Sequence, residues 1–99
     1  MRVISRRTLR EFWEQKKYED AKTPLIAWYN LAARAHWRSP TDVKSQLGSA
    51  SVLKNGRMVF NIAGNKYRLV VRIDYVFEII LIRFIGTHEQ YDKINAEEV

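Results

Sequence analysis

Apolar residues recur at helical spacing through the first half of the chain and alternate through the second, so the pattern itself divides into a helical and a sheet half. After a short apolar start at Val3 and Ile4, Leu9, Phe12 and Trp13 fall at i, i+3 and i+4. Thr8 and Glu11 stand in capping-box spacing, and Arg6, Arg7, Arg10, Lys16 and Lys17 largely take the other face, which predicts an amphipathic first helix. Thr23-Pro24 reads as an N-cap followed by proline at the first helical position, and it opens a second helix striped by Leu25, Trp28, Tyr29 and Ala32. That helix is expected to end before Ser39-Pro40, with His36 and Trp37 continuing the packed stripe. Residues 39 to 56 carry turn signals and room for one short helical piece at most.

Beyond Lys54-Asn55-Gly56-Arg57 the period becomes two. Met58, Phe60 and Ile62 alternate with Arg57, Val59 and Asn61, Gly64-Asn65 makes a turn, and Tyr67, Leu69, Val71, Ile73 and Tyr75 alternate with Lys66, Arg68, Val70, Arg72 and Asp74. These two strands should share one greasy and one basic face. Phe77 to Ile85 is apolar on both sides apart from Glu78 and Arg83, as expected of a central strand covered on both faces. After Gly86, a second capping-box spacing at Thr87 and Gln90 predicts a short last helix with His88 and Tyr91, and the acidic end Asn95 to Val99 reads as frayed. The helices need the greasy sheet face to bury their stripes, so the whole of 1–99 is expected to form one α+β domain: N-terminal helices on one face of a mainly antiparallel sheet, with a short C-terminal helix.

Composition narrows the function. At 46% hydrophobic and 12% aromatic residues the chain lies well above the range of disordered sequences. Seventeen Lys and Arg against eleven Asp and Glu give a net charge of +6 and point toward a polyanionic partner. With no cysteine there is no disulfide or thiolate metal site, which fits a reducing compartment, and two histidines make a metal centre unexpected. The start shows no signal peptide, and Val76 to Ile85 is far shorter than the roughly 20 apolar residues that span a bilayer, so a cytoplasmic protein without membrane attachment is expected. Walker glycine loops, G-x-S-x-G, H-E-x-x-H and zinc spacings are all missing.

Strand alternation sends Arg57, Asn61, Lys66, Arg68 and Arg72 to one surface, with Lys54 in the turn beside it, and guanidinium forks match phosphate oxygens. Tyr91 offers a stacking surface for an unpaired base. His88 and Tyr91 share a face of the last helix, close in sequence to Arg83. RNA can be cut without metal when its own 2′-hydroxyl attacks the adjacent phosphorus, which calls for a base, an acid for the 5′-oxygen and positive charge around the phosphorane. Histidine suits proton exchange near neutral pH, Arg68 and Arg83 would hold the developing charge, and Tyr91 would orient the nucleophile, exchange a proton or stack a base. No cofactor is implied.

Two stretches, Val59-Phe60-Asn61-Ile62-Ala63-Gly64-Asn65-Lys66-Tyr67-Arg68-Leu69-Val70 and Ile82-Arg83-Phe84-Ile85-Gly86-Thr87-His88-Glu89-Gln90-Tyr91-Asp92, resemble the HigB toxin family. That resemblance implies a RelE-like microbial ribonuclease fold, cleavage of mRNA engaged on the ribosome, and neutralisation by a HigA-type helix-turn-helix antitoxin, with operator DNA bound only through the antitoxin complex. In RelE-like toxins an arginine within a Tyr-Arg-Leu-Val strand serves the cleaved phosphate, and Arg68 matches it. A C-terminal histidine or tyrosine often acts as acid or base there, which points to His88 and Tyr91. Two lysines that RelE carries on the preceding strand fall near Val59 and Asn61, so the base must come from elsewhere: His88 first, Lys66 in reserve. The competing reading is a non-catalytic RNA-binding or translation-associated module with the same basic face.

Overall fold

A computed structural model describes all of residues 1–99, and its helical half follows the apolar stripes. Helix α1 (Arg6–Trp13) buries Leu9, Phe12 and Trp13, but its cap is Ser5, whose hydroxyl accepts from the Thr8 backbone N–H at 3.4 Å. The expected Thr8–Glu11 box does not form, because Glu11 is held one turn back by Arg7 at 2.8 Å. A 3-10 helix (Lys16–Ala21) leads directly into α2 (Lys22–Arg34), so Thr23 lies inside the helical run and does not cap it. Leu25, Trp28 and Ala32 are buried as the stripe requires. The helix stops at Arg34, five residues before Ser39 of the predicted breaker, because Ala35 is extended (ψ 155°). His36 is therefore outside the stripe; it is exposed and hydrogen-bonds Glu78 through Nδ1 at 3.2 Å, a correction to its expected packing role. Trp37 is buried, and its Nε1–H donates to Gln46 Oε1 at 2.8 Å. That glutamine ends the one short helix of the joint, α3 (Pro40–Gln46), capped by Ser39 and started by Pro40.

Five strands form one sheet: β1 (Arg2–Ile4), β2 (Ser51–Val52), β3 (Arg57–Ile62), β4 (Tyr67–Asp74) and β5 (Ile79–Thr87), in the spatial order β1-β5-β4-β3-β2. The apolar start is thus an edge strand, parallel to β5, and every other pairing is antiparallel. Met58, Phe60, Ile62, Tyr67, Leu69, Val71, Ile73 and Ile80 face the helices and join their stripes in one core of 20 buried residues. β5 is interior, as predicted, but begins later: Tyr75 to Glu78 turn the chain, leaving Val76 and Phe77 86% and 73% exposed. Asp74 holds that turn by accepting from the backbone N–H groups of Val76 and Phe77 at 3.1 and 3.0 Å. No helix is long and apolar enough to cross a membrane.

The second sheet face departs most from expectation. Val59 and Val70, its central cross-strand pair, are buried beneath Ala96, with Leu53, Phe84, Tyr91, Ile94 and Val99 packed around them. The acidic end is therefore docked on the sheet rather than frayed, because its apolar positions cover a strip that would otherwise be wet.

Candidate active site and phosphate-binding face

Strand register assembles the outer face. Arg57 stands opposite Arg72, Val59 opposite Val70 and Asn61 opposite Arg68 on the β3–β4 ladder, so basic pairs lie at either end of an apolar middle. Along β4 the Arg68 and Arg72 positions are about 13 Å apart at ordinary strand rise. On β5, Gly86 is the partner of Arg68.

Arg83 has its reason in a β-bulge. Leu69 pairs with Ile85 and Val71 with Ile82, both on the helix side, while Val70 pairs with Phe84, so the register shift leaves Arg83 as the extra residue. Strict alternation across residues 82 to 85 would turn Arg83 into the core; one additional residue re-aims it outward, where it is exposed. Its Nε–H donates to the main-chain oxygen of Val99 at 3.0 Å, and Nη2 of Arg57 donates to the same oxygen at 2.6 Å. The structure thus gathers Arg83 with Arg57. The Arg68 guanidinium instead turns toward its own turn, donating to Asn65 O at 3.2 Å. No Asp or Glu side chain lies within ion-pair distance of Arg57, Arg68, Arg72 or Arg83, since the side-chain ion pairs of the molecule involve other residues.

His88 and Tyr91 come from α4 (His88–Tyr91), a single turn closed by the predicted capping box. Gln90 N–H donates to Thr87 Oγ1 at 3.1 Å and Thr87 N–H to Gln90 Oε1 at 2.9 Å, while Gln90 Nε2 reaches the Tyr18 hydroxyl at 3.3 Å. One glutamine side chain therefore ties the turn to the helical layer. The backbone N–H of His88 donates to Lys66 O at 3.3 Å, which sets the α4 start against the beginning of β4, two residues from Arg68. His88 Nδ1 is 3.2 Å from Asp92 Oδ2, a pair that attracts when the imidazole is protonated, and no hydrogen bond engages Nε2. Tyr91 is half-buried against the Val59–Val70 strip.

Lys66 is not where alternation put it. It lies in the turn before β4, and its ammonium binds Asp20 of the 3-10 helix, which also accepts from the hydroxyl of Tyr67. Hydrogen bonds from Lys66 and then Tyr67 hold the Asp20 carboxyl below its usual range, and the bond to Asp20 raises Lys66 in turn. Burial, reinforced by Asp20, pushes the Tyr67 hydroxyl up. This triad stabilises a charged, engaged lysine, the opposite of a poised base. Lys54 and Asn61 are exposed; the Lys54 backbone N–H donates to Glu97 Oε2 at 3.1 Å.

Sequence reasoning missed Asp20, the orienting role of Gln90 and the docking of residues 94–99. Only the last left a trace, in apolar Ile94 and Ala96 within a polar run. Chemically, the face offers guanidiniums with no Asp or Glu partner, an exposed imidazole beside Asp92 and a phenol beside an apolar strip, which suits a single-stranded polyanion with stackable bases.

Comparison with known proteins bears on the same residues. A family model described as the RelE-like toxic component of a toxin–antitoxin system matches residues 21–94. The chain is 31% identical over 98 residues to the mRNA interferase toxin HigB of Escherichia coli (strain K12), covering 97% of this chain and 92% of that protein. The mRNA interferases HigB of Escherichia coli O157:H7 and Shigella flexneri match with the same identity and coverage. The stretch matched by the family model runs from the start of α2 through α4, thus holding every candidate site residue from Lys54 to Tyr91, and the chain belongs to the HigB toxin family.

Proposed function

We propose that this chain is an mRNA endoribonuclease, the growth-inhibiting toxin of a type II toxin–antitoxin pair, which cuts RNA engaged on the ribosome through the RNA's own 2′-hydroxyl. The observation that carries this reading is the junction of β4, β5 and α4: Arg68 opposite Gly86, His88 hydrogen-bonded through its backbone to Lys66, and Tyr91 on the neighbouring apolar strip. His88 takes the 2′-hydroxyl proton while the O2′–P bond forms and the P–O5′ bond breaks; the leaving 5′-oxygen is protonated in turn, with Tyr91 as the partner for that step or for base stacking. Products are a 2′,3′-cyclic phosphate and a free 5′-hydroxyl. Arg68 and Arg83 supply charge to the strained phosphate and its neighbours, with Lys54, Arg57, Asn61 and Arg72 extending the track. Lys66, tied to Asp20, contributes position rather than chemistry.

A HigA-type helix-turn-helix antitoxin is the expected partner, and operator DNA is reached only through that complex. The reaction is placed in the cytoplasm with the translating ribosome. Support comes from the names of the relatives, which are mRNA interferases, and from a sheet face whose arginines have no Asp or Glu partner. Inducible expression with mapping of mRNA 5′ ends, with and without ribosome engagement, tests class and mechanism together. Stalled growth with new 5′ ends in translated transcripts is expected; intact transcripts would leave a binding module.

A further inference from the structure

The β4–β5 ladder ends at the Tyr67–Thr87 pair, and the two groups proposed to act on the cut phosphate stand on either side of that end, Arg68 within it and His88 just beyond. Past the last pair one backbone bond, from the His88 N–H to Lys66 O at 3.3 Å, joins the two segments. A ladder end held so lightly opens locally, and each opening moves the imidazole against the guanidinium. Two side chains of the 3-10 helix (Lys16–Ala21) close the gap from the helical layer. The Tyr18 hydroxyl accepts from Gln90 Nε2 at 3.3 Å, which holds α4. The Asp20 carboxylate takes one donor on each oxygen, the Tyr67 hydroxyl on Oδ1 and the Lys66 ammonium on Oδ2, which holds the start of β4. Aromatic packing ties the 3-10 helix to the core in turn. The Tyr18 ring stacks on buried Phe12 with centroids 4.4 Å and planes 7° apart, and Tyr67 stands edge-on to both rings. One short element therefore grips α4 and β4 together.

We propose that Tyr18 and Asp20 are positioning residues for RNA cleavage: together they hold the α4 turn and the start of β4 at one separation, so that His88 and Arg68 meet the same phosphate. The catalytic half rests on the function proposed above; the two-point brace does not. Neither residue touches the RNA in this scheme. The Tyr18–Gln90 bond and the Asp20–Lys66 pair are exposed, and surface bonds of this kind contribute little to stability, so losing one leaves the domain folded and frees the separation instead. Misplacement of a reacting group by about 1 Å can cost roughly a hundredfold in rate. Both residues restrain the same displacement, so either loss releases it and the second adds little, as for groups that act as a unit.

The test uses two conservative variants and their combination. Tyr18→Phe keeps the ring on Phe12 and removes only the hydroxyl, while Asp20→Asn keeps an acceptor for Tyr67 and removes the charge that holds Lys66. Circular dichroism selects conditions in which all three proteins are folded. Cleavage of mRNA on programmed ribosomes then gives the rate at saturating toxin and the half-saturating concentration separately. Each single variant is expected to cut about tenfold to a hundredfold more slowly at saturation, with the half-saturating concentration unchanged, and the double variant to match the slower single. Hydrogen exchange of the His88 amide reads the brace without RNA and should quicken in both single variants. Parent-like exchange, losses that multiply in the double variant, or losses confined to the half-saturating concentration would overturn the proposal. Quickened exchange in variants of a parent that leaves mRNA intact would keep the brace and sink the ribonuclease reading. Parent-like exchange and rates in variants of a parent that cuts mRNA would sink the brace and keep that reading.

Discussion

Gly86→Ala tests whether the β5–α4 junction is as tightly filled as its geometry requires. A Cβ at Gly86 would lie 2.6 Å from Phe84 Cζ and 2.6 Å from Gln90 Oε1, closer than carbon tolerates either atom. Gln90 is the flexible partner and would swing away, but in doing so it gives up the Thr87 N–H and breaks the capping box. The Phe84 ring packs on the Val59–Val70 strip and has less freedom. Overpacking of this kind costs about 1–3 kcal/mol. Loss of the cap adds about 1 kcal/mol, and replacing glycine in a strand returns about 0.5–1 kcal/mol. The net expectation is destabilisation of about 1–3 kcal/mol, a fall of several degrees in Tm for a domain of this size. Urea unfolding of both proteins gives the difference directly. Adding Gln90→Ala should recover only the part caused by the glutamine contact, leaving the ring clash. A Gly86→Ala protein within about 0.5 kcal/mol of the parent, a change typical of unconstrained surface sites, would refute the claim that the junction is closed by space.

Arg68→Ala and His88→Ala should each restore growth to induced cells, with cleavage reduced about 10²–10³-fold for the lost arginine donor and unchanged circular dichroism; full toxicity in both folded variants would refute the site. Gln46→Ala removes the acceptor of the Trp37 Nε1–H at 2.8 Å, and thermal or urea unfolding should show about 1–3 kcal/mol lost. For Asp20, a carboxyl held below its usual 3.8, the stability contribution is present above that value and fades as pH falls through the lower folded one. Lys66, raised above 10.5, keeps its contribution below that value and loses it as pH climbs through the raised one. Asp20→Asn should therefore be less stable than the parent between these limits and converge with it at both extremes, whereas a pH-independent gap would count against the ion pair.

The core was legible because packing enforces period: Leu9, Phe12, Leu25 and Trp28, and then Met58, Phe60, Leu69 and Val71, lie inside where their spacing put them. Local choices were less so. Ser5 and Thr8 are both competent caps, and which one wins depends on how β1 enters the helix. His36 was assigned to a helix that had already ended. The outer face failed on a tertiary fact, since alternation cannot see that Val59 and Val70 on neighbouring strands make one strip that needs a cover. Arg83 interrupts an apolar strand, but the bulge that explains it lies in the pairing of two strands and not in either sequence alone. Lys66 was misplaced by counting the strand one residue too early, which moved its ammonium to the wrong layer.

Because Arg2–Ile4 pairs with Ile79–Leu81, this early segment finds its neighbour only after residues 5–78 have been made. An intermediate lacking residues 79–87 lacks the strand that joins β4 to the β1 edge, so the leading strand has no seat and the α1 stripe loses part of its cover. Long-range closure of this sort slows folding relative to local pairing. During synthesis the nascent chain therefore stays incomplete, and its cationic surface is not assembled until residues 79–87 are available to pair.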